Sequence, residues 1–494
     1  MDTVWVLGDQ LNRRSGALAK AQPEGTTILM VESAAKIGSK PFHRQRLHLI
    51  VTAMRRFAME LENEGFTVDY RVGPDLRMGF AEHLRDYHPR KVLVTEPASR
   101  AGRSLMQSLD VEGVRDDRFL CHADDFATWA GGRTRLRLED FYRWQRRRLT
   151  YLMDGDEPSG GRWNYDTDNR EPPPADGGDW PEPITDRLDK LDRDVIATLP
   201  ASATGSAPYG LWATDRAGAL RRLDHFVDAV LPHFGTYEDA MLSSDWHLAH
   251  SLLSPYLNLG LLLPAEVCDA VEAAYREGRI PINSAEGFIR QVIGWREFVW
   301  GIYWLWPEHA DANVLGNDRP LPPAFAGDAA TEMRCVSGTQ ADLREHAWTH
   351  HIPRLMILAN LANLIGVRTL DEMEWMWSQY VDGAEWVMIP NVIGMGMWAD
   401  GGVMSTKPYV SGGAYINRMS DYCRGCPFNP RHRTGETACP FTSLYWDFVA
   451  RHSELLLSNP RMARTVRSFK RLTDGEATRA RAAEVVDRLM TGDL

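Results

Sequence analysis

The sequence contains no long hydrophobic run. Its first apolar stretch, residues 3–7, stops at Gly8-Asp9, and the chain nowhere approaches the roughly 18–20 consecutive apolar residues that a membrane span requires. The amino terminus has no basic segment followed by an apolar core, which is the pattern of a secretory leader. We therefore expect a cytoplasmic protein without a membrane partner.

Positive charge is also scarce. The formal net charge is -11 at pH 7, which gives no global indication of nucleic-acid binding. Basic residues nevertheless cluster at 133–148, which holds seven arginines, and at 461–471. Such stripes can contact phosphates in a protein of acidic total charge, but each run alone is interpreted as a solvated helix face.

Cysteine is sparse, with 6 in 494 residues, and in the cytoplasm these indicate metal ligands or free thiols rather than disulfides. Cys423 and Cys426 form a C-x2-C turn, and Cys439 follows after twelve residues. Both Cys426 and Cys439 precede proline, and Cys335 is a fourth candidate far upstream. Thiolate ligation suits Zn²⁺ or an iron–sulfur cluster, and the spacing alone leaves both open.

Strand and helix signals alternate in the first 130 residues. Residues 4–7, 27–31, 67–72 and 91–94 are predicted strands, and an amphipathic helix is predicted over about 43–65. This alternation predicts a parallel sheet with helices on both faces. Ligands of such sheets lie beyond the carboxyl ends of the strands, where Gly8-Asp9-Gln10 and Glu32-Ser33 are expected.

The remaining chain changes character twice. Residues 154–200 are rich in Pro, Gly and Asp and predict a long linker with little helical pattern, whereas helical periodicity dominates from about 205. The predicted organisation is an α/β part at 1–130, a connecting helix and interdomain linker at 131–204, and an all-α part at 205–494.

Two segments of the helical part carry chemistry. Ser251-Leu252-Leu253-Ser254-Pro255-Tyr256-Leu257 places hydroxyl residues before a helix, where backbone N–H groups can bind a phosphate. Glu286 and Arg290 then lead into Trp295-Arg296-Glu297-Phe298. Alone, the two segments would be a helix N-cap and an amphipathic helix.

In combination these motifs resemble the flavin-binding core of the photolyase/cryptochrome superfamily. The opening Val6-Leu7-Gly8-Asp9-Gln10-Leu11 and the segments 160–170, 346–355 and 419–423 narrow the resemblance. They are similar to the iron–sulfur bacterial cryptochromes and photolyases, also called prokaryotic (6-4) photolyases. The resemblance covers essentially the whole chain.

The resemblance implies three cofactors: FAD in the helical domain, a [4Fe–4S] cluster, and commonly a 6,7-dimethyl-8-ribityllumazine antenna in the α/β domain. The matching cluster ligands are Cys335, Cys423, Cys426 and Cys439, and the matching antenna positions are Gly8, Asp9, Gln10 and Glu32. The matching FAD positions are Tyr237, Ser251, Leu252, Leu253, Ser254, Leu257, Glu286, Arg290, Arg296, Asp382 and Asn391. Gly294 is an extra residue relative to the commoner superfamily spacing.

The implied activity is repair of UV-damaged DNA by an electron from photoexcited FADH⁻. In a (6-4) photoproduct a hydroxyl has moved between two pyrimidines, and its return requires proton transfer, for which histidine is well suited. His346, His350 and His351 are predicted to share one helix, on which residues three or four apart lie on one face. In the family the second histidine of the pair is implicated, here His351, and Tyr409 matches a lesion-side tyrosine.

An aromatic path must also deliver electrons to the oxidised flavin. Trp386 is the expected nearest donor, and Trp295 is a further catalytic candidate. Relatives carry a Trp shortly before the first cluster cysteine, but residues 321–334 contain none, only Phe325. Three functions remain: a monomeric (6-4) photolyase, a cryptochrome-type blue-light photoreceptor with little repair, and a zinc- or cluster-stabilised DNA-binding protein without photochemistry.

Overall fold

The computed structural model describes residues 1–327 and 329–494. Its amino-terminal part is built on a parallel sheet with the strand order β3-β2-β1-β4-β5. The five strands are Asp2–Val6, Thr26–Ser33, Thr67–Gly73, Val92–Thr95 and Glu112–Val114, numbered β1 to β5. The predicted parallel sheet is confirmed. Because β2 and β4 pair with opposite sides of β1, the strand order reverses at the carboxyl end of β1, where such sheets bind ligands.

This part also contains six helices, and the N-cap residues before two of them explain where those helices begin. Asp75 and Ser99 each accept a hydrogen bond from the backbone N–H three residues on, at 2.9 and 3.1 Å. The helices are Gly16–Ala19, Ala34–Ile37, Arg44–Asn63, Leu76–Tyr87, Arg100–Gln107 and Ala123–Ala130, numbered α1 to α6. The long helix predicted over about 43–65 is therefore α3. The strand β5 was not predicted, because three residues at a sheet edge are too short for a pattern.

The connection between the two parts is more ordered than its composition predicts. It begins with helix α7, Leu138–Leu149, and a two-stranded hairpin of Met153–Asp154 and Glu157–Pro158, β6 and β7. Single 3₁₀ turns follow at Ser159–Gly161 and Asp166–Asp168. Helix α8, Lys190–Ala197, then forms inside the predicted linker. A reciprocal capping box between Asp189 and Asp192 stabilises its amino terminus.

The carboxyl-terminal part is helical, as predicted. Its first six helices are Arg216–His225, Leu231–Tyr237, Ser254–Leu259, Pro264–Arg276, Ile282–Ile289 and Glu297–Leu305, numbered α9 to α14. The next five are Pro323–Ala326, Arg334–His346, Asn360–Ile365, Thr369–Gln379 and Glu385–Met388, numbered α15 to α19. The last five are Gly413–Met419, Pro440–Arg451, Ser453–Leu457, Ala463–Phe469 and Gly475–Thr491, numbered α20 to α24.

Wide helical turns interrupt this part at four places, three of which lie in motifs singled out above. π-helical segments run over Phe226–Val230, Arg290–Arg296, Pro353–Ala359 and Ile389–Gly396. A π turn accommodates one residue more than an α turn and is frequent at functional sites. The extra residue Gly294 lies in the second segment, where a Cβ would come within 3.2 Å of the Tyr142 ring. The unusual spacing is therefore absorbed inside a continuous helix.

The two parts share a hydrophobic core. One buried cluster joins Val4 and Leu49 of the α/β part to Leu253, Tyr256 and Ile289 of the helical part. Backbone hydrogen bonds also cross the junction, such as that from the Leu11 N–H to the Leu259 carbonyl at 2.9 Å. In the described ranges no helix has both the length and the apolar character that crossing a membrane demands.

Candidate active site

A partly buried ion pair brings two distant motifs together. Asp382, in the turn between α18 and α19, accepts hydrogen bonds from the Ser254 hydroxyl at 2.6 Å and from two Arg354 nitrogens at 2.9 and 3.1 Å. The Tyr380 ring lies 3.9 Å from the Arg354 guanidinium carbon, and Asn258 donates to the Asp382 carbonyl at 2.8 Å. Two predicted FAD residues, Ser254 and Asp382, are thus adjacent, with Arg354 as their common partner.

The backbone before Ser254 forms a hollow suited to an anion. Leu252 has a left-handed φ of 56°, and Leu253 follows in the right-handed region with φ -91°. Consecutive residues of opposite hand direct their N–H groups toward one side, which is how backbone nests bind phosphates. Ser251 and Leu252 also line a cavity together with His250. This donor set fits the pyrophosphate of FAD.

Three histidines gather next to this loop. The rings of His250 and His350 stack at 4.2 Å, and His351 lies 5.6 Å from His250, edge to face. His250 and His350 are buried, and their Nε2 atoms lack hydrogen-bond partners among the described residues. Burial lowers the pKa of both rings well below the ordinary histidine value, so both are neutral near pH 7. His351 differs from them in that its side chain is 49% exposed.

The prediction that His346, His350 and His351 share one helix is wrong. Helix α16 ends at His346, because Ala347 adopts a left-handed φ of 58° and closes the helix. A new helical segment begins at His351 and contains Pro353 in its first turn. His346 consequently lies apart from the pair, where its ring stacks on Trp246 at 4.1 Å.

Two carboxyl groups stand beside the exposed histidine. Asp239 Oδ1 lies 3.5 Å from His351 Nε2 and is partly exposed. The neighbouring Glu238 is buried and accepts hydrogen bonds from Gln291 at 2.8 Å and Asn169 at 3.2 Å. Burial raises the pKa of Glu238 to about 7, although the nearby charge of His351 opposes the shift. The site therefore places a carboxyl that holds a proton near neutral pH behind an imidazole that faces the solvent.

The lesion-side tyrosine predicted at position 409 lies in the same neighbourhood. Burial raises the pKa of Tyr409, and the charges of Asp166 and Asp239 raise it further. The positive charges of Arg170 and Arg461 lower the pKa of Tyr409 and so oppose this shift. Tyr409 therefore lies within electrostatic range of both arginines and of Asp239, the carboxylate next to His351, and these residue types can bind a base and its phosphates.

The two charged residues Glu286 and Arg290 meet the interdomain linker. Glu286 is fully buried and accepts a hydrogen bond from the Tyr165 backbone N–H at 2.8 Å. Arg290 lies 3.7 Å from Glu286 and 3.2 Å from Asp166. Arg290 also interacts electrostatically with Glu238. These two predicted FAD positions are therefore close to Glu238 and His351 and not to the Asp382 ion pair.

The remaining predicted positions are distributed around this centre. Arg296 pairs with Glu297 at 2.6 Å, and its guanidinium lies over the ring of Trp386 at 5.3 Å. Leu257 is buried in the shared core, Tyr237 contacts Trp180 edge-on at 5.2 Å, and Asn391 donates to the Val387 carbonyl at 2.9 Å. Trp295 is half-buried with its ring 6.4 Å from Phe298. None of these five contacts joins its residue to Asp382.

The predicted antenna residues lie at the switch point of the sheet. Gly8, Asp9 and Gln10 follow β1, and Gln10 donates to the Thr95 carbonyl at the end of β4 at 3.0 Å. Glu32 falls within β2 itself, one residue before its end. Its carboxylate receives two hydrogen bonds from Arg55, at 2.9 and 3.0 Å. Burial raises the pKa of Asp9, and Arg118 opposes this shift.

Four cysteines converge as their spacing predicts. Cys335, Cys423, Cys426 and Cys439 line one cavity, whose other walls are mainly apolar. None of them forms a disulfide in the described chain. Burial and the three neighbouring sulfurs raise the pKa of Cys335 well above its ordinary value. Four thiolates in such a place require a cationic group to bind, and this donor set fits a metal centre.

A glycine permits the closest approach at this cavity. A Cβ at Gly413 would lie 2.7 Å from the Cys439 sulfur. The loop is held by the Cys439 N–H, which donates to the Asn429 carbonyl at 3.1 Å. The other two cysteines, Cys121 and Cys268, are fully buried and lie outside the cavity.

The arginine-rich run at 133–148 is mainly exposed, as expected for a solvated face, but one of its arginines is used inside the protein. Arg146 is fully buried and donates to the Trp163 carbonyl at 2.9 Å. Arg147 lies 4.5 Å from the Trp163 ring, and Arg143 pairs with Glu139 at 2.7 Å. The interpretation as a solvated face is therefore wrong for Arg146, which links helix α7 to the linker.

Several site residues were not predicted from the sequence. His250 immediately precedes the Ser251 motif, and Arg354 stands three residues after His351, so that adjacency and helical spacing were the available signals. Glu238 and Asp239 follow Tyr237 directly but carry no motif of their own. Their role is visible only from the contacts with Gln291 and His351.

A family model described as Deoxyribodipyrimidine photo-lyase-related protein matches residues 4–207. A (6-4) photolyase of Agrobacterium fabrum (strain C58 / ATCC 33970) is 42% identical over 505 residues, covering 98% of this chain and 99% of that protein. A deoxyribodipyrimidine photo-lyase of the same strain is 32% identical over 103 residues, 21% of this chain and 20% of that protein.

Two solved structures share the fold. A bacterial class III photolyase from Agrobacterium tumefaciens aligns with a TM-score of 0.58 and 17% identity, over 99% of this chain and 96% of that one. A cryptochrome from Synechocystis sp. PCC6803 aligns with a TM-score of 0.56 and 13% identity, over 99% of both chains. The α/β sheet followed by a helical part is therefore an arrangement found in both kinds of protein.

Proposed function

The chain belongs to the photolyase/cryptochrome superfamily, and we propose that it is an enzyme that repairs (6-4) pyrimidine photoproducts in DNA with light. The observation that carries this proposal is the exposed His351, which lies next to Asp239 and near the buried Glu238. It is supported by the similarity to a (6-4) photolyase over 98% of the chain. When bound, FAD in its fully reduced form supplies the electron that light excites.

The three histidines differ in burial, and this difference decides which of them can transfer a proton. His250 and His350 are neutral because they are buried, so neither can deliver a proton as an imidazolium near pH 7. His351 reaches the opening, and a positive charge on its ring would face the Asp239 carboxylate. We assign to His351 the transfer of a proton to the lesion during return of the hydroxyl, and to Tyr409 a hydrogen bond to the flipped-out base.

The lesion and the histidine can be tested together. Oligonucleotides with a defined (6-4) or cyclobutane lesion are illuminated with the parent protein, with His351→Ala, and with His233→Ala as an exposed-histidine control in α10. We expect (6-4) repair by the parent and the control, and a loss of ~10²-fold in His351→Ala. Damaged-duplex binding and FAD content should stay at the parent level in all three.

Two outcomes would contradict parts of this proposal. Repair of (6-4) lesions by His351→Ala at the parent rate would remove the proton-transfer role from that residue. A parent protein that binds FAD but repairs neither lesion would favour the photoreceptor function instead.

For FAD we propose the nest at 251–254 as the pyrophosphate site and the Asp382–Arg354 pair as its neighbour. Tyr237, Leu257, Glu286, Arg290, Arg296 and Asn391 complete the proposed set. The orphaned Nε2 atoms of His250 and His350 support a ligand between these elements, because buried polar atoms are normally hydrogen-bonded.

For the cysteine cavity we propose a [4Fe–4S] cluster. Four thiolates can bind either Zn²⁺ or an iron–sulfur cluster. The cluster is favoured by the resemblance to the iron–sulfur bacterial photolyases and by the 42% identity to a (6-4) photolyase over 98% of the chain. Apolar walls from Met333, Ile416 and Phe428 would shield such a cluster from water.

We further propose that Gly8, Asp9, Gln10 and Glu32 bind 6,7-dimethyl-8-ribityllumazine. The support is their position at the switch point of the sheet. There Arg55 donates to the Glu32 carboxylate, and Arg118 lies 4.0 Å from the Asp9 carboxylate. We also propose that the protein acts as a cytoplasmic monomer on UV-damaged DNA, with Arg170 and Arg461 contacting phosphates.

A further inference from the structure

A short helix near the carboxyl terminus carries an unbalanced positive charge. Residues 455–473 contain five basic side chains and no acidic one. All five are exposed. We call them the basic stripe, and they are Arg461, Arg464, Arg467, Lys470 and Arg471.

The packing of helix α23 fixes the direction in which the stripe faces. Met462 and Val466 are buried in the core of the helical part. The Phe469 ring, at the end of α23, stacks on Trp446 of α21 at 6.4 Å. Because residues three or four apart lie on one face of a helix, the basic residues are grouped on the outer face, away from this contact.

The stripe lacks the carboxylate partners that neighbouring arginines have. Arg433 lies 2.9 Å from Asp474, and Arg479 lies 3.0 Å from Asp447. No residue of the stripe forms an ion pair in the described part of the chain. In a protein with a formal net charge of -11, this region therefore has a local potential of the opposite sign, which attracts a polyanion.

The stripe begins beside the tyrosine that is proposed to contact the lesion. The Asn459 amide donates to the carbonyl of Thr406 at 2.9 Å, three residues before Tyr409. The Asn459 side chain also accepts a hydrogen bond from the Arg461 N–H at 3.0 Å. Arg461 is close enough to lower the pKa of Tyr409. From this point α23 leads the stripe away from Tyr409.

The length of the stripe exceeds what one flipped-out base can occupy. Lys470 still has right-handed helical geometry at the end of α23. At a rise of about 1.5 Å per residue, Arg464 and Lys470 are separated by about 9 Å along the helix. This distance corresponds to about three base pairs of duplex DNA. The outer residues of the stripe are therefore placed to contact backbone phosphates beside a lesion and not the lesion itself.

We propose that the basic stripe binds the phosphate backbone of the duplex arm on one side of the lesion. The inference rests on the proposed function, because it requires duplex DNA as the substrate. Phosphate contacts position a protein on DNA but carry no sequence information. The stripe should therefore increase the affinity for damaged and undamaged duplex by the same factor.

The arginine-rich run at 133–148 is less suited to this role. Glu139 and Asp140 lie within it, and Arg143 pairs with Glu139 at 2.7 Å. Arg146 is fully buried. Part of the positive charge of this run is thus neutralised or used inside the protein, whereas the whole charge of the basic stripe faces the solvent.

The stripe is tested by removing three of its charges from the full-length, FAD-loaded protein. Duplex binding is measured in the dark over a range of KCl concentrations, with and without a central (6-4) lesion. Because each phosphate contact contributes about 0.9 to the salt dependence of log K, we expect the slope to flatten by about 2.7 and the affinity at about 0.1 M salt to fall by about tenfold or more. The variant is Arg464→Gln/Arg467→Gln/Arg471→Gln.

A matched control removes the same charge elsewhere. It replaces three exposed arginines that form no ion pair in the described chain, one each in α4, in the linker and in α8. This control should bind duplex as the parent does, and FAD content at the parent level in both variants shows that they are folded. The control is Arg77→Gln/Arg187→Gln/Arg193→Gln.

Shortened duplexes test whether the contact is made on one side only. Two further duplexes end at the base pair next to the lesion, on the 5′ side in one and on the 3′ side in the other. The parent should lose affinity for one of them, and the stripe variant should bind that duplex as the parent does. On the other shortened duplex the stripe variant should remain weaker than the parent by the same factor as on the intact duplex.

Three results would overturn the inference. They are a stripe variant that binds like the control, a loss confined to damaged duplex, and a difference from the parent that persists on both shortened duplexes. Because binding is measured in the dark, a parent that binds duplex in this way but repairs neither lesion would refute the repair function alone. A parent that binds no duplex would refute both proposals.

Discussion

Replacing Arg354 by methionine leaves the Asp382 carboxylate with one hydrogen-bond donor among the described residues, the Ser254 hydroxyl at 2.6 Å. The Asp382 side chain is 8% exposed and that of Arg354 is 19% exposed, so water cannot fully replace the guanidinium. Removing one partner of a buried ion pair typically costs about 3–5 kcal/mol. Because Arg354 is partly solvated, we expect a loss near the lower end, about 3 kcal/mol in the free energy of unfolding.

The comparison variants separate charge from shape. Arg368→Met removes the arginine of an exposed pair, in which Arg368 lies 2.7 Å from Asp371, and should cost at most about 1 kcal/mol. The double variant Arg354→Met/Asp382→Leu removes both charges and should recover most of the stability, because apolar replacement of a buried pair is often neutral. Neither Arg354 variant should retain FAD at the parent level, because the proposed neighbour of the flavin is lost in both.

Urea unfolding and the FAD content per chain are the two measurements. An Arg354→Met protein as stable as Arg368→Met would mean that Asp382 is not held as a buried charge. A double variant that binds FAD as the parent does would show that the ion pair is not part of the flavin site, whatever its effect on stability.

Three further predictions concern the cluster, the antenna and a buried acid. Elemental analysis should give about four irons per chain in the parent, much less in Cys439→Ser, and the parent value in Cys121→Ser, a buried cysteine outside the cavity; stoichiometric zinc without iron would contradict the cluster. Glu32→Gln should release little or no fluorescent non-flavin compound on heating, because Arg55 loses its carboxylate partner, whereas the exposed Glu112→Gln should match the parent. Burial raises the pKa of Glu372 to about 8 from an ordinary 4.5, so the folded state keeps a proton that the unfolded chain releases, and stability falls as pH rises from about 4.5 to 8. Glu372→Gln should flatten that fall, by up to about 3 kcal/mol at pH 7, and an unchanged pH profile of urea unfolding would refute the shift.

The sequence predicted those parts of the molecule in which local pattern and three-dimensional position coincide. The alternating strands and helices of the first 130 residues, and the C-x2-C turn with its third cysteine, are of this kind. β-rich runs form strands in register because they are buried on both faces, as at Ile28–Met30. The cysteines converge because a two-residue turn and one loop bring three of them within reach of Cys335.

The sequence could not predict where a helix would stop. His346 and His350 have helical spacing, but a single left-handed residue, Ala347, ends the helix between them. Alanine carries no signal for that conformation, so the break is imposed by tertiary contacts such as the bond from Val381. Because of this break, His346 lies next to Trp246 and Tyr209 and is separated from His350 and His351.

The linker illustrates the opposite error, in which composition hid a specific role. Its Pro- and Gly-rich character predicts a loop, yet the backbone N–H of Tyr165 satisfies the buried Glu286, and the Asn169 amide satisfies the buried Glu238. A buried carboxyl without such donors would cost far more than a mobile loop gains in entropy. The segment 160–170 therefore satisfies two buried carboxyl groups, and its contact with Glu238 connects the linker to the proposed proton-transfer site at His351.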